Sequence, residues 1–214
     1  MLERIWIDMD SIIFDVDGTL WDSTGIVADA WTDYLREIEH IDMTVTVEKL
    51  KSLFGRPLPV IAEQIFPDRG KEEQIRLIDG CCQAEHRALL RQCAPLYPEL
   101  EETLKALAAE YPLYMVSNCQ AGYIEVFLEA TGFGRYFSGH LCHGDTGADK
   151  PETISILMKE QHLQSPVYVG DTMGDFLSCR KAGVPFVFAS YGFGDVPEPD
   201  YRIEKPADLI TLFL

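Results

Sequence analysis

From residue 95 onward the chain alternates between short apolar segments and longer amphipathic ones. The apolar segments are LYMVSN (113–118), GHLCHG (139–144), VYVGD (167–171), PFVFAS (185–190) and YRIE (201–204), and an earlier one, IIFDV, occupies residues 12–16. The segments between them carry apolar residues at helical spacing. Strands that alternate with helices require right-handed crossovers, which give a parallel sheet covered by helices on both faces. The sequence therefore predicts an α/β fold with a Rossmann-like parallel sheet at its core.

Residues 22–94 interrupt this alternation. The block contains four segments with helical spacing and no strand pattern, at 24–40, 46–54, 57–66 and 72–92. We therefore predict an α/β core domain formed by residues 1–21 and 95–214, with an all-helical cap domain of residues 22–94 inserted after the first strand. The chain passes between the core and the cap near residues 21–23 and again near residues 94–96. These two connections are the expected hinges of cap closure.

The chain is strongly acidic, with 18 Lys and Arg against 35 Asp and Glu among 214 residues and a formal net charge of -17. This balance, without any basic block, argues against nucleic acid or an anionic membrane as a partner. Charges interrupt the N-terminal apolar residues, and no apolar run approaches the length of a membrane span. We therefore expect a cytoplasmic protein that acts on a small molecule, and the sequence leaves the oligomeric state open.

Polar residues stand where the predicted strands end. The set is Asp15, Asp17, Gly18 and Thr19, then Ser117 and Asn118, then Lys150, and finally Asp171 and Asp175. Ligands bind at the carboxyl ends of parallel strands, so these side chains are expected to share one edge of the sheet. Clustered carboxylates repel one another, and Mg²⁺ offsets that repulsion while leaving room for phosphate oxygens. Lys150, Ser117 and the N–H groups of the Gly18 turn would then face an anionic group.

The short motif Asp-x-Asp occurs twice, at Asp8/Asp10 and at Asp15/Asp17. Only the second pair is followed by Gly-Thr-Leu, which lets the backbone turn sharply at the end of the strand. The first pair runs straight into the strand, and we interpret it as solvated positions on an N-terminal extension. The second pair is therefore the candidate for chemistry.

The segments FDVDGTL, SN, KP and GDTMGD, in this order, resemble the four motifs of the haloacid dehalogenase superfamily of phosphotransferases. The helical insertion resembles the cap of the subgroup that includes phosphoglycolate phosphatase and β-phosphoglucomutase. The resemblance covers the chain from Ser11 onward. The segment SNCQAGY differs from the form typical of either enzyme, so the substrate is left open.

The resemblance implies covalent catalysis. Asp15 would be the nucleophile that attacks phosphorus and forms an aspartyl-phosphate. Asp17 would protonate the leaving oxygen and then deprotonate the water that hydrolyses the intermediate. Mg²⁺ would be held by the carboxylates of Asp15 and Asp171 and by the backbone carbonyl of Asp17.

The resemblance also implies roles for the remaining strand-end residues. Lys150 would neutralise charge on the nucleophile and on the transferring group. Asp175 would orient Lys150 or a metal-bound water without binding the metal itself. The expected substrate-binding residues of the core are Gly18, Thr19, Ser117 and Asn118.

Three further residues have open interpretations. Arg56 lies in FGRPLP, a loop between two predicted cap helices, where it either reaches the cleft to bind a carboxylate or second phosphate, or braces the loop. Cys119 follows Asn118 and is either inert or a site of oxidant sensitivity. Trp31 is expected in the interior of the cap rather than in a ligand site.

The predicted function is a Mg²⁺-dependent phosphatase of a small phosphorylated metabolite. Three alternatives remain open at this level. A phosphomutase would use the same nucleophile, a halide-releasing dehalogenase would have no use for the acid Asp17, and a non-catalytic binding protein would be expected to have lost at least one of the charged residues.

Overall fold

The computed structural model describes residues 9–214, and its β1 (Ser11–Phe14) lies inside a six-stranded parallel sheet. The other strands are β2 (Leu113–Ser117), β3 (Phe137–Cys142), β4 (Pro166–Gly170), β5 (Phe186–Ala189) and β6 (Tyr201–Ile203). Their order is β3-β2-β1-β4-β5-β6, and each neighbouring pair is parallel. The chain path changes direction between β1 and β4, which is where open α/β sheets bind ligands. The predicted α/β sheet is confirmed.

Helices cover the sheet and fill the insertion. Those of residues 22–94 are α1 (Thr24–Asp33, continued by a π-helical turn, Tyr34–Ile38), α2 (Val47–Lys51), α3 (Leu58–Ile65) and α4 (Lys71–Arg91). Those after residue 94 are α5 (Leu100–Ala108), α6 (Tyr123–Thr131), α7 (His143–Thr146), α8 (Lys150–Glu160), α9 (Met173–Ala182) and α10 (Asp208–Phe213), with a 3₁₀ turn at Phe133–Tyr136. No helix within residues 9–214 is long and apolar enough to cross a membrane.

The sheet is buried on both faces because its strands alternate side chains between two apolar layers. Ile12 and Phe14 belong to a cluster that continues into the helical insertion, whereas Ile13 belongs to a second cluster on the opposite face. Tyr168 and Phe186 from the neighbouring strands extend that second cluster. These layers fix the strands rigidly and hold their carboxyl ends in place.

The helical insertion leaves and rejoins the sheet at adjacent points. Trp21 forms an antiparallel bridge with Leu96, and the N–H of Asp22 donates a hydrogen bond of 2.9 Å to the carbonyl of Pro95. We propose residues 22–94 as a cap domain because both of its connections to the core meet at this one bridge. Helix α4 packs against α6 of the core, so the cap also contacts the core away from the connections.

Close packing inside the insertion depends on one glycine. A Cβ atom added to Gly80 of α4 would lie 2.0 Å from the hydroxyl oxygen of Tyr34. The Tyr34 hydroxyl donates to Glu39 at 2.6 Å, which also pairs with Arg76 at 2.7 Å. The end of α1 is therefore held against α4 by a contact that a larger residue would block.

Two sequence interpretations need correction at the edges of the fold. The segment predicted as a strand through residue 144 ends as β3 at Cys142, because His143 begins the helical turn α7. Asp10 is half-buried rather than freely solvated, since its carboxylate accepts hydrogen bonds from the N–H groups of Gln164 and Ser165 and ties the start of β1 to the start of β4. Asp8 lies outside the described residues.

Candidate active site

The turn after β1 is shaped by a glycine that lies against a carboxylate. Gly18 has a φ of +80°, and a Cβ atom there would lie 2.1 Å from Oδ2 of Asp171. The N–H of Gly18 donates to the Trp21 carbonyl at 2.9 Å, and the N–H of Leu20 donates to the Val16 carbonyl at 2.8 Å. Only glycine fits both the backbone angle and the close approach. The turn therefore brings the end of β1 directly against the end of β4.

Lys150 forms two buried ion pairs beneath this turn. Its Nζ lies 2.9 Å from Oδ1 of Asp15 and 2.5 Å from Oδ1 of Asp175. The lysine is 3% exposed and Asp15 is 2% exposed. Burial alone would lower the pKa of Lys150, but the neighbouring carboxylates of Asp15 and Asp175 raise it. The lysine is consequently a fixed positive charge beside the predicted nucleophile.

Asp175 is oriented by the helix that carries it. Its Oδ2 accepts a hydrogen bond of 2.9 Å from the N–H of Thr172, and the Thr172 hydroxyl accepts one of 3.1 Å from the N–H of Asp175. This reciprocal capping box closes the N-terminus of α9. The other oxygen of Asp175 remains for Lys150, so the start of α9 positions the lysine.

Asp171 is buried between the β1 turn and a later loop. Its Oδ1 accepts from the hydroxyl of Thr19 at 3.2 Å, and its Oδ2 accepts from the N–H of Phe193 at 2.7 Å. Burial, and then the charges of Asp175 and Asp15, raise the pKa of Asp171. Burial likewise raises the pKa of Asp15 to about 7, although Lys150 lowers it. Two neighbouring carboxylates therefore lack sufficient compensating charge.

The donor set fits a hard divalent cation. One oxygen from each of Asp15, Asp171 and Asp175 lies within 4.8 Å of the others, and Lys150 is the cation in contact with this group within residues 9–214. Three buried carboxylates against one ammonium leave a net negative pocket of oxygen ligands, which is the environment that Mg²⁺ prefers. Asp175 lies in this cluster and also contacts Lys150, and its predicted place behind the metal ligands stays a prediction.

The side chain of Asp17 points away from that cluster, toward the connection between core and cap at residues 21–23. Its Oδ1 accepts hydrogen bonds from Trp21 Nε1 at 3.0 Å, from the Ser23 hydroxyl at 2.5 Å and from the Tyr123 hydroxyl at 2.8 Å. Burial raises the pKa of Asp17 to about 6, against the opposing effect of Ser23, Tyr123 and Trp21. A carboxyl that titrates near neutral pH suits proton transfer. Its backbone carbonyl as a metal ligand stays a prediction.

The expected cradle of backbone amides needs correction. The N–H groups of Gly18 and Thr19 donate to the carbonyls of Trp21 and Val16 within the turn, so they do not face an anionic group. The Thr19 hydroxyl faces Asp171, so it lies behind the carboxylates rather than on the cleft wall. Ser117 is on the wall, where its oxygen accepts a hydrogen bond of 3.4 Å from the N–H of Cys119.

A cleft of about 460 Å³, its open mouth included, separates the sheet edge from the cap. Its core side includes Asp15, Asp17, Ser117, Asn118, Gln120 and Tyr123, and its cap side includes Trp31, Phe54, Arg56, Leu58, Ile61 and Glu85. Asp15 at the bottom and Arg56 on the cap loop therefore face the same space, although they lie in different domains of the predicted division.

Asn118 connects the core to the cap loop that carries Arg56. Its Nδ2 donates to the carbonyl of Gly55 at 2.7 Å, while its Oδ1 is buried and has no hydrogen-bond partner among residues 9–214. The Arg56 side chain is exposed and forms no ion pair or hydrogen bond with the described part of the chain. Arg56 is thus free for a ligand, but it lies at the mouth of the cleft.

Glu85 is the cleft residue that sequence reasoning missed. It lies in α4, is 3% exposed, and accepts hydrogen bonds from Trp31 Nε1 at 2.5 Å and from Gln120 Nε2. Burial raises the pKa of Glu85 to about 8 against the effect of these two donors. In the sequence it is one glutamate among many on a cap helix, and only the packing of α4 against α6 turns it inward. Trp31, expected only in the cap interior, reaches the same cleft.

Cys119 has the properties of an inert thiol. It is free, and burial together with its neighbour Cys142 raises its pKa. The thiolate is the reactive form of cysteine, so a raised pKa disfavours oxidation and nucleophilic attack.

A parallel sheet whose strand ends bring together buried aspartates and a lysine under a helical cap is the arrangement of haloacid dehalogenase-like hydrolases. The sequence model of that family, Haloacid dehalogenase-like hydrolase, matches residues 12–189, and the chain belongs to this family. A curated relative, phosphoglycolate phosphatase from Agrobacterium fabrum, is 33% identical over 92% of this chain and 89% of its own length.

Solved structures show the same fold. A haloacid dehalogenase-like family hydrolase from Streptococcus pneumoniae has a TM-score of 0.83 and 22% identity, covering 96% of this chain and 99% of its own. A predicted phosphoglycolate phosphatase from Haemophilus somnus has a TM-score of 0.83 and 22% identity, covering 96% of this chain and 98% of its own. The core and the helical insertion are therefore both shared with these proteins.

Proposed function

We propose that this protein is a Mg²⁺-dependent phosphatase that hydrolyses a small phosphorylated metabolite through an aspartyl-phosphate on Asp15. The observation that carries the proposal is the contact of Asp15 with Lys150 at 2.9 Å, at the bottom of a cleft, in a chain of this hydrolase family. The relatives named phosphoglycolate phosphatase support the phosphatase reaction. The substrate of this chain is a separate question.

The chain's own residues divide the work of phosphoryl transfer. Asp15 attacks phosphorus in line with the leaving oxygen, forming the aspartyl-phosphate, while Lys150 neutralises charge on the nucleophile and the transferring group. Asp17 gives its proton to the leaving oxygen and then takes one from the water that hydrolyses the intermediate. A pKa of about 6 lets Asp17 serve in both directions near neutral pH.

Asp15 and Asp171, with Asp175 beside them, would hold Mg²⁺, which when bound neutralises phosphate charge and orients the phosphoryl group. The cap completes the site from above. Asn118 holds the loop of Gly55 over the cleft, and closure of such a cap excludes bulk water from the intermediate.

The alternative functions have less support. A dehalogenase needs no proton donor to its leaving group, whereas Asp17 is held by three hydrogen bonds. A non-catalytic binding protein has no need for Asp15, Lys150, Asp171 and Asp175 together. A phosphomutase would share the core chemistry, and no cap contact specifically favours it.

The test is phosphate release from p-nitrophenyl phosphate and from a panel of phosphorylated metabolites, with and without Mg²⁺. The Asp15→Asn variant should lose turnover by at least about four orders of magnitude while keeping the fold, because an amide cannot act as the nucleophile. Near-normal turnover by this variant, or turnover that does not depend on Mg²⁺, would contradict the proposed mechanism.

A further inference from the structure

The interior of the cleft offers hydrogen-bond acceptors and few donors. Glu85 carries two lone-pair positions beyond those used by Trp31 and Gln120, because each carboxylate oxygen accepts twice. The buried Oδ1 of Asn118, which has no partner among residues 9–214, is a second free acceptor, on the core side of the same cleft. A ligand that enters this space meets oxygen atoms that need hydrogen-bond donors.

The donors nearby are already used. Gln120 Nε2 gives one hydrogen to Glu85 and faces His86 Nε2 at 3.0 Å with the other. The hydroxyl of Tyr123 donates to Asp17 at 2.8 Å. The donors of Gln120 and Tyr123 are therefore not available to a carboxylate on the ligand.

The charges around Glu85 also disfavour a second anion there, since Arg56, the one cation lining the cleft within residues 9–214, is exposed on the cap loop. In the described part of the chain Glu85 has no salt-bridge partner, and the charge of Asp17 acts on it unfavourably. Lys150 is paired with Asp15 and Asp175 and is absent from the cleft wall. Burial of a carboxylate without a counter-charge is costly, and a donor or cation on the ligand relieves that cost.

We propose that Glu85 makes this enzyme selective for phosphate esters whose leaving group carries a hydrogen-bond donor, a hydroxyl or an ammonium group, over esters that carry a carboxylate in that place. The inference rests on the proposed phosphatase function. Glu85 acts as a specificity residue in the cap, where it accepts the donor, while the phosphate lies at the sheet edge.

Three esters of equal length test this directly with the native protein and Mg²⁺ at about pH 8.5, where Glu85, whose pKa burial raises to about 8, is mostly ionised: phosphoglycolate, 2-hydroxyethyl phosphate and phosphoethanolamine. They differ at one terminal group, a carboxylate, a hydroxyl or an ammonium. We expect kcat/KM for at least one donor-bearing ester to exceed that for phosphoglycolate by about tenfold or more, the size of one hydrogen bond to a charged group. The better of the two donors identifies which group Glu85 accepts.

The Glu85→Gln variant should reduce this preference to about threefold or less, because a neutral amide accepts more weakly and places an N–H toward Trp31 or Gln120. The matched control is Glu63→Gln, the same change at an exposed glutamate of α3, which should leave the preference intact. If the Glu85 variant fails to fold, as circular dichroism would show, the comparison of the three esters on the native protein decides alone.

The outcomes separate the two proposals. Native protein that hydrolyses phosphoglycolate as well as or better than both donor-bearing esters overturns the role of Glu85 and leaves the phosphatase intact. An unchanged preference in a folded Glu85→Gln variant also overturns it. If neither these esters nor p-nitrophenyl phosphate release phosphate, the proposed function fails first.

Discussion

The sheet edge and the cap side of the cleft are held together by different kinds of contact. At the sheet edge, Lys150 joins Asp15, 135 positions away in the chain, and Asp175, 25 positions away, through buried ion pairs. On the cap side, the neutral donors Trp31 and Gln120 are the groups that hold Glu85 within the described part of the chain. At the sheet edge, Lys150 compensates only part of the negative charge, which leaves a place for a metal cation. On the cap side, Glu85 can accept a further hydrogen bond from a ligand.

In these proposals the sheet edge carries out the reaction, and the cap side determines which ester is preferred. Strand ends in a parallel sheet fix the sheet-edge residues, and a solved structure with a TM-score of 0.83 shares the fold that positions them. The cap residues depend on how individual helices pack, so they can differ between proteins that share the reaction. Substitutions at the sheet edge, at the boundary and on the cap side test this division.

The largest effect is expected at Lys150. Lys150→Met keeps most of the side-chain volume but leaves Asp15 and Asp175 buried without their counter-charge, which typically costs about 3–5 kcal/mol of stability. Turnover should fall by about a thousandfold, because the fixed charge beside the transferring phosphoryl group is lost. Urea denaturation and phosphate release measure the two effects.

Lys159→Met is the matched control, since Lys159 is exposed on the same helix. It should change neither stability nor turnover appreciably. A Lys150→Met protein with the native unfolding midpoint would show that the ion pairs do not hold the sheet edge together, and the contrast between the two regions would disappear.

The sheet edge could be predicted from sequence because the motif residues follow buried strands. Once Ile12 to Phe14 form β1 inside a parallel sheet, Asp15 has to lie next to the residues that follow β4. Local turn geometry was harder to predict. The N–H groups of Gly18 and Thr19 were expected to face a ligand, but the turn uses them for its own carbonyls.

The cap side could not be predicted in the same way. Glu85 faces inward because α4 packs on α6, and that contact joins segments whose helical pattern alone does not define their relative rotation. The direction of the Asp17 side chain is set by Trp21, Ser23 and Tyr123, which sequence reasoning did not connect with it. Side-chain direction across an interface is a property of tertiary packing.

A smaller effect is expected at the boundary between the two regions. Tyr123 donates to Asp17 at 2.8 Å, which opposes the effect of burial on the pKa of that carboxyl. Tyr123→Phe removes the donor, so the pKa of Asp17 should rise above its value of about 6. A lost hydrogen bond to a charged group corresponds to about one pKa unit. The limb of the pH–kcat profile that needs protonated Asp17 should therefore move to higher pH by about that amount.

The same substitution has a predicted sign in stability. The folded pKa of Asp17 lies above its ordinary value of 3.8, so between these values the native state keeps a proton that the unfolded chain has lost, and stability falls as pH rises. Tyr123→Phe should extend that fall to higher pH. Tyr111→Phe is the control, because its hydroxyl contacts the Phe213 carbonyl instead. If the pH–kcat and pH–stability profiles of Tyr123→Phe were both unshifted, Asp17 would not be the group that transfers the proton.

The smallest effect is expected at Arg56. Its exposed side chain forms no ion pair with the described residues, so Arg56→Ala should change the free energy of unfolding by less than about 0.5 kcal/mol. It is the one cation on the cleft wall within residues 9–214, and it lies at the mouth, where water screens its charge. Any slow hydrolysis of phosphoglycolate should depend on it, whereas kcat/KM for the donor-bearing esters should change by less than about threefold. If Arg56→Ala instead lowers turnover of every ester equally and strongly, the guanidinium contacts the common phosphate, and selectivity on the cap side would have to be assigned to Arg56 as well as to Glu85.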